Sequence, residues 1–129
     1  INVQNDDPTA RVLELTDGKG ADLIIETSGA PPAIAQAADM VRICGRITGI
    51  GIPAASETPI PYKASMLKAI DWHFNMSSSY TAWDKALGMI ERYADVLESI
   101  VTVCSDLEEW ESVFSSMENE TSIKPVFVF

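Results

Sequence analysis

The stretch "ADLIIETSGAPPA", residues 21–33, restricts the fold more than any other part of this 129-residue chain. Leu23, Ile24 and Ile25, with Ala21 before them, form an apolar core that does not alternate, the pattern of a parallel strand buried on both faces. Small residues follow, Thr27, Ser28 and Gly29, and then Pro31 and Pro32. Proline suits the first helical positions, where its missing N–H costs nothing. A strand that runs through a tight turn into a helix is the βα unit of an open α/β sheet. Ligands of such sheets sit where strand tips meet helix starts.

The remaining segments repeat the theme. Ile1–Val3 reads as the end of a strand, and Asp7-Pro8 starts a helix that carries Val12 and Leu15 and stops at Asp17–Gly20. After Pro32, residues Ile34, Ala37, Ala38 and Val41 make a helical stripe that ends at Gly45, and Arg46–Ile52 is a strand. Three prolines keep "PAASETPIPYK" irregular; a short helix at Ser65–Ala69 and a strand at Trp72–Met76 follow. Thr81-x-x-Asp84 is a capping box for a helix bearing Trp83, Ala86, Leu87 and Ile90. Ile100–Val103 is a strand, Ser105-x-x-Glu108 a second capping box, and Lys124 opens a closing strand. Strand and helix alternate, which predicts an α/β fold with a mostly parallel sheet covered by helices. Ile1–Val3, Leu23–Thr27, Arg46–Ile52 and Trp72–Met76 are expected as sheet neighbours, with Ile1–Val3 pairing or fraying.

Charge and cysteine usage exclude several classes. Nineteen acidic residues against nine basic ones give a net charge of −10, so nucleic acid is not an expected partner. No run of about 18 apolar residues is present, so no membrane span is expected. Cys44 and Cys104 lie far apart and His73 is the single histidine, so no metal-ligand cluster is expected. Two lone thiols suit core packing in a reducing compartment, the cytoplasm. The chain opens at Ile1 inside what reads as a strand and is expected to be a fragment of a longer protein.

Three stretches could carry a site. At Glu26-Thr27-Ser28-Gly29 the glycine lets a backbone approach a ligand, or the turn simply needs small residues. Gly49 and Gly51 in "GIGIP" suit a flat group against the strand end, or a helix packed over it. Ser77, Ser78 and Ser79 could bond a polar ligand or fill a loop. His73, between Trp72 and Phe74, reads as packed or exposed rather than catalytic, and no Ser/His/Asp triad is proposed.

In order along the chain, "GADLIIETSGAPPAIAQAADMVRICGRITGIGIP", "AWDKALGMIERY" and "DLEEWESVFSSMENETSIKPVFVF" resemble the C-terminal part of a medium-chain, zinc-type alcohol or polyol dehydrogenase. The resemblance implies a Rossmann-like, mostly parallel sheet with helices on both faces, incomplete because the first strands and the GxGxxG loop are missing. It implies residues 1–95 as the C-terminal portion of a dinucleotide-binding domain and residues 96–129 as a closing segment that returns to the catalytic domain. It implies NAD or NADP as cofactor, and a zinc ion in the parent enzyme whose ligands lie outside this chain. Ser28 and Gly29 would lie near the nicotinamide ribose. Ile50, Gly51 and Ile52 would offer backbone groups to the carboxamide, Ser77, Ser78 and Ser79 would border the ring, and Lys124 would meet the pyrophosphate. The substrate would be a small alcohol or polyol, and a homo-oligomer would form through Met66–Met76. The parent would be an enzyme; the chain by itself, without catalytic residues, is expected to be inactive.

Two readings from other classes stand beside it. "INVQNDDPTARVLELT" resembles the start of a response-regulator receiver domain, but Glu26-Thr27 stands where the acceptor aspartate is needed, and Lys124 lies too far beyond it. The other is a non-catalytic α/β interaction domain.

Overall fold

In the computed structural model, which describes residues 1–129, the apolar run forms strand β1 (Ala21–Glu26). It follows helix α1 (Pro8–Leu15), whose N-cap Asp7 accepts from the amides of Thr9 at 2.9 Å and Ala10 at 3.3 Å. Helix α2 (Pro31–Met40) passes without a connecting loop into β2 (Val41–Gly49). Helix α3 (Tyr62–Leu67) and strand β3 (Asp71–Phe74) complete the compact unit Ile1–Ser77. The sheet order is β1-β2-β3, parallel throughout, with Ile24, Ile47 and Trp72 in register and Glu26, Gly49 and Phe74 aligned at the tips. Ile1–Val3 forms no strand; the chain there turns back, with Asn5 and Asp6 donating to the Asn2 carbonyl.

The core is Ala37, Ala38, Val41 and Ile47, with Ile24, Ile70 and Trp72 packed on it. It lies on the face of the sheet that α2 covers. Leu23 and Ile25 point the other way and are more than half exposed, so β1 is buried on one face rather than on both.

The boundary between α2 and β2 differs from the sequence expectation. The helix stops at Met40, not at Gly45, and the strand starts at Val41. Lys68 Nζ donates to the carbonyls of Ala38 (2.8 Å), Asp39 (2.9 Å) and Val41 (3.0 Å), which caps the helix end from a distant segment. Residues between Val41 and Arg46 bulge out of register with β1, Cys44 takes a left-handed φ of 55°, and its amide bonds the Lys68 carbonyl at 2.7 Å.

The unit Ser78–Phe129 holds α4 (Tyr80–Arg92), α5 (Ala94–Glu98), β4 (Val101–Ser105), a 3₁₀ turn at Leu107–Glu109, α6 (Trp110–Glu118) and β5 (Lys124–Phe127). β4 and β5 are parallel and α6 connects them, with Val113 buried. The N-cap of α4 is Ser79, whose hydroxyl accepts from the Ala82 amide at 3.2 Å; Thr81 lies already inside the helix. Ser105 ends β4 and donates to Glu109 at 2.8 Å instead of capping with Glu108.

Candidate functional site

The C-terminal tips of β1 and β2 hold two turns that lock together. Glu26 is buried at the end of β1. Its carboxylate accepts from the Ser28 amide (2.9 Å), the Ser28 hydroxyl (2.5 Å) and the Gly29 amide (3.1 Å). Burial pushes this carboxyl up, but the Ser28 hydroxyl and the two amides outweigh it, and the group sits below the usual carboxylate range. The Glu26 carbonyl in turn accepts from the amides of Ile50 (2.8 Å) and Gly51 (3.1 Å). One residue therefore ties the turn after β1 to the turn after β2.

The glycines make the fit possible. Gly29 has φ 68°, and a methyl there would come within 2.6 Å of the Ile52 carbonyl. A methyl on Gly51 would collide with the Gly29 amide nitrogen. Of the expected cofactor groups, the amides of Ser28, Gly29, Ile50 and Gly51 are thus engaged within the protein. The carbonyls of Ile50, Gly51 and Ile52 and the amide of Ile52 have no internal partner. Ser28 Oγ also accepts from the Ala30 amide at 3.1 Å.

Beside the tips lies a cavity of about 320 Å³ with Ile34, Ile60, Trp72 and Phe74 as apolar walls. Gly49 leaves space for the Phe74 ring, since a methyl there would sit 3.3 Å from it. Thr58 Oγ1, in the cavity wall, is buried without a hydrogen-bond partner, so a polar atom in the cavity would satisfy it.

The other expected residues are distributed as follows. Ser77, with φ 60°, ends the first unit. Ser78, Ser79 and Lys124 belong to the second unit; the Ser79 hydroxyl is engaged as a helix cap, and Lys124 is exposed at the start of β5 beside a hollow of about 500 Å³. His73 is exposed and alternates away from Trp72 and Phe74. Cys44 and Cys104 are free and exposed, not core-packed; Cys44 sits in the bulge of β2. No three His, Cys, Asp or Glu side chains converge to hold a metal, so the residues present do not fit a zinc ion. The space at Gly29 and Gly51 is taken up by the facing turn, so what the tips offer a carboxamide is the unpartnered carbonyls of Ile50–Ile52 and the Ile52 amide. Glu26 was not among the expected binding residues. Its signal was an acid two and three positions before a Ser-Gly turn, a spacing that lets a side chain reach its own following amides.

Comparison with known proteins shows the family and the fold. A family model described as zinc-binding dehydrogenase matches residues 1–95. The sorbitol dehydrogenase of Halalkalibacterium halodurans is 30% identical over 124 residues, covering 96% of this chain and 36% of the relative. The L-threonine 3-dehydrogenase of Bacillus licheniformis is 27% identical over 133 residues, covering 99% of this chain and 37% of the relative. Among solved structures, the alcohol dehydrogenase TADH from Thermus sp. ATN1 superposes with a TM-score of 0.91 at 25% identity, over 100% of this chain and 37% of that one. The chain thus spans just over a third of the length of the curated relatives it matches.

Proposed function

The chain belongs to the zinc-binding dehydrogenase family, and on that premise we propose that it forms the nicotinamide side of the cofactor site in an NAD- or NADP-dependent oxidoreductase of small alcohols or polyols. Residues 1–95 are then the C-terminal portion of a dinucleotide-binding domain, and residues 96–129 the segment that returns to the catalytic domain. The observation that carries the reading is the glycine interlock at the tips of β1 and β2, with main-chain groups of Ile50–Ile52 left unpartnered beside it. A carboxamide has both a donor and an acceptor, and matches a carbonyl and an amide side by side.

When bound, the nicotinamide ring supplies the hydride-exchanging carbon. The chain's own residues would hold and orient it: Ser28 and Gly29 would shape the ribose side and Ile50, Gly51 and Ile52 would meet the carboxamide, while family resemblance assigns Ser77, Ser78 and Ser79 to the border of the ring and Lys124 to the pyrophosphate. No step through zinc is assigned to this chain. An alcohol or polyol substrate is supported by the sorbitol and threonine dehydrogenases among the relatives. A homo-oligomer through Met66–Met76 is supported by the free edge of β3 and by the exposure of Met66, Leu67, Phe74 and Met76. The comparisons support neither a receiver domain nor an interaction domain.

Titration with NADH, followed by nicotinamide fluorescence, tests the reading. Saturable binding that NAD⁺ or NADP⁺ displaces is the expected result; no binding at millimolar NADH overturns it. Metal analysis of the same chain is expected to find no stoichiometric zinc, and assays no alcohol-dependent reduction of NAD⁺.

A further inference from the structure

We propose that Glu26 is a positioning residue for the cofactor cradle, acting through the two turns it joins. The inference rests on the cofactor reading above and adds a residue to it. The Glu26 carboxylate holds Ser28 and Gly29, while its carbonyl holds Ile50 and Gly51. No cation pairs with this buried carboxylate; its partners are the hydroxyl and amides of the turn itself. Without those bonds the Ser28 and Gly29 amides would be orphaned in a place where the Ile52 backbone leaves no room for a methyl. The two turns cannot move independently, so loosening the first shifts the unpartnered carbonyls of Ile50–Ile52.

Glu26→Gln tests this, because it keeps the shape and replaces one acceptor oxygen by a donor that faces an amide. Three readouts are taken on the 129-residue chain: amide hydrogen exchange without ligand, the melting temperature, and the NADH dissociation constant measured well below each melting temperature. In the variant, the Gly29 amide, which bonds both carboxylate oxygens, is expected to exchange at least about tenfold faster, and NADH to bind about tenfold or more weakly. A merely structural role lowers the melting temperature and leaves the dissociation constant alone; that result overturns the proposal. Absence of NADH binding by the wild-type chain overturns the cofactor reading and this role with it, whereas equal binding by wild type and variant overturns this role alone. Should Glu26→Gln not fold, Glu26→Asp, which keeps the charge and shortens the reach to both amides, is expected to weaken NADH binding to a smaller degree; an unchanged constant there overturns the proposal as well.

Discussion

At the scale of single residues, the site is a matter of what each atom already bonds. Glu26 has its carboxyl held below the usual carboxylate range in the fold. Its contribution to stability is therefore complete above the unfolded-state value of about 4.3 and is lost as pH falls through the folded value. Melting temperatures taken from about pH 7 down to about pH 3 should fall more steeply for the wild type than for Glu26→Gln, which has no proton to take up. Gly51→Ala should destabilise the chain by about 1–3 kcal/mol or more, since its methyl meets backbone and not a flexible side chain. Urea denaturation with an unchanged slope and a lower midpoint is the expected record. Sequence reading marked Gly29 and Gly51 separately, as small residues at strand ends. That each fills the space beside the other is a contact across more than twenty residues, and no local pattern encodes it.

Among the elements, the proline-marked starts of α1 and α2 were legible, while β2 starts five residues and α3 three residues before the expected positions. Pro31-Pro32 marked the first turn of α2, and the expected strand Leu23–Thr27 lies within two residues of β1 at each end. The end of α2 was misplaced because Gly45 is a strong local stop signal, while the true stop depends on Lys68, twenty-seven or more residues away. Ser79 and Thr81 are both good cap residues, and spacing to an acid favoured Thr81. The helix begins earlier because the Ser79 hydroxyl meets the Ala82 amide first. Lys68→Met keeps the aliphatic stem and removes three bonds to carbonyls, so a loss of about 1–3 kcal/mol is expected. Hydrogen exchange should show the loss first at the amides of the last turn of α2 and at Cys44.

For the molecule as a whole, burial is concentrated in one place. Every buried apolar residue except Val113 falls between Ile34 and Ile47. The non-alternating pattern of β1 foretold two covered faces, yet Leu23 and Ile25 stand open at 52% and 58%. The pattern reports what the strand is suited to meet, and the fold class of parallel sheets with helices was legible from it. The role proposed for Lys124 rests on family resemblance alone, because an exposed lysine has no pattern of its own. In an enzyme assembled with the rest of its fold, Lys124→Ala is expected to raise the cofactor dissociation constant about ten- to a hundredfold, with Lys124→Arg retaining most of the affinity. Equal constants for the three proteins would leave Lys124 as a plain surface cation.

The direct passage from Met40 to Val41 also sets where this fold tolerates a change in length. A helix that becomes a strand within one peptide bond, with its last carbonyls gripped by Lys68, has no slack: an inserted residue there would rotate every later β2 side chain to the opposite face. Residues 50–61 carry no helix or strand and can absorb extra residues beyond the interlocked turn at a small entropic cost. Engineered insertions, tags or reporter loops are best placed between Ala54 and Glu57, all four of which are exposed.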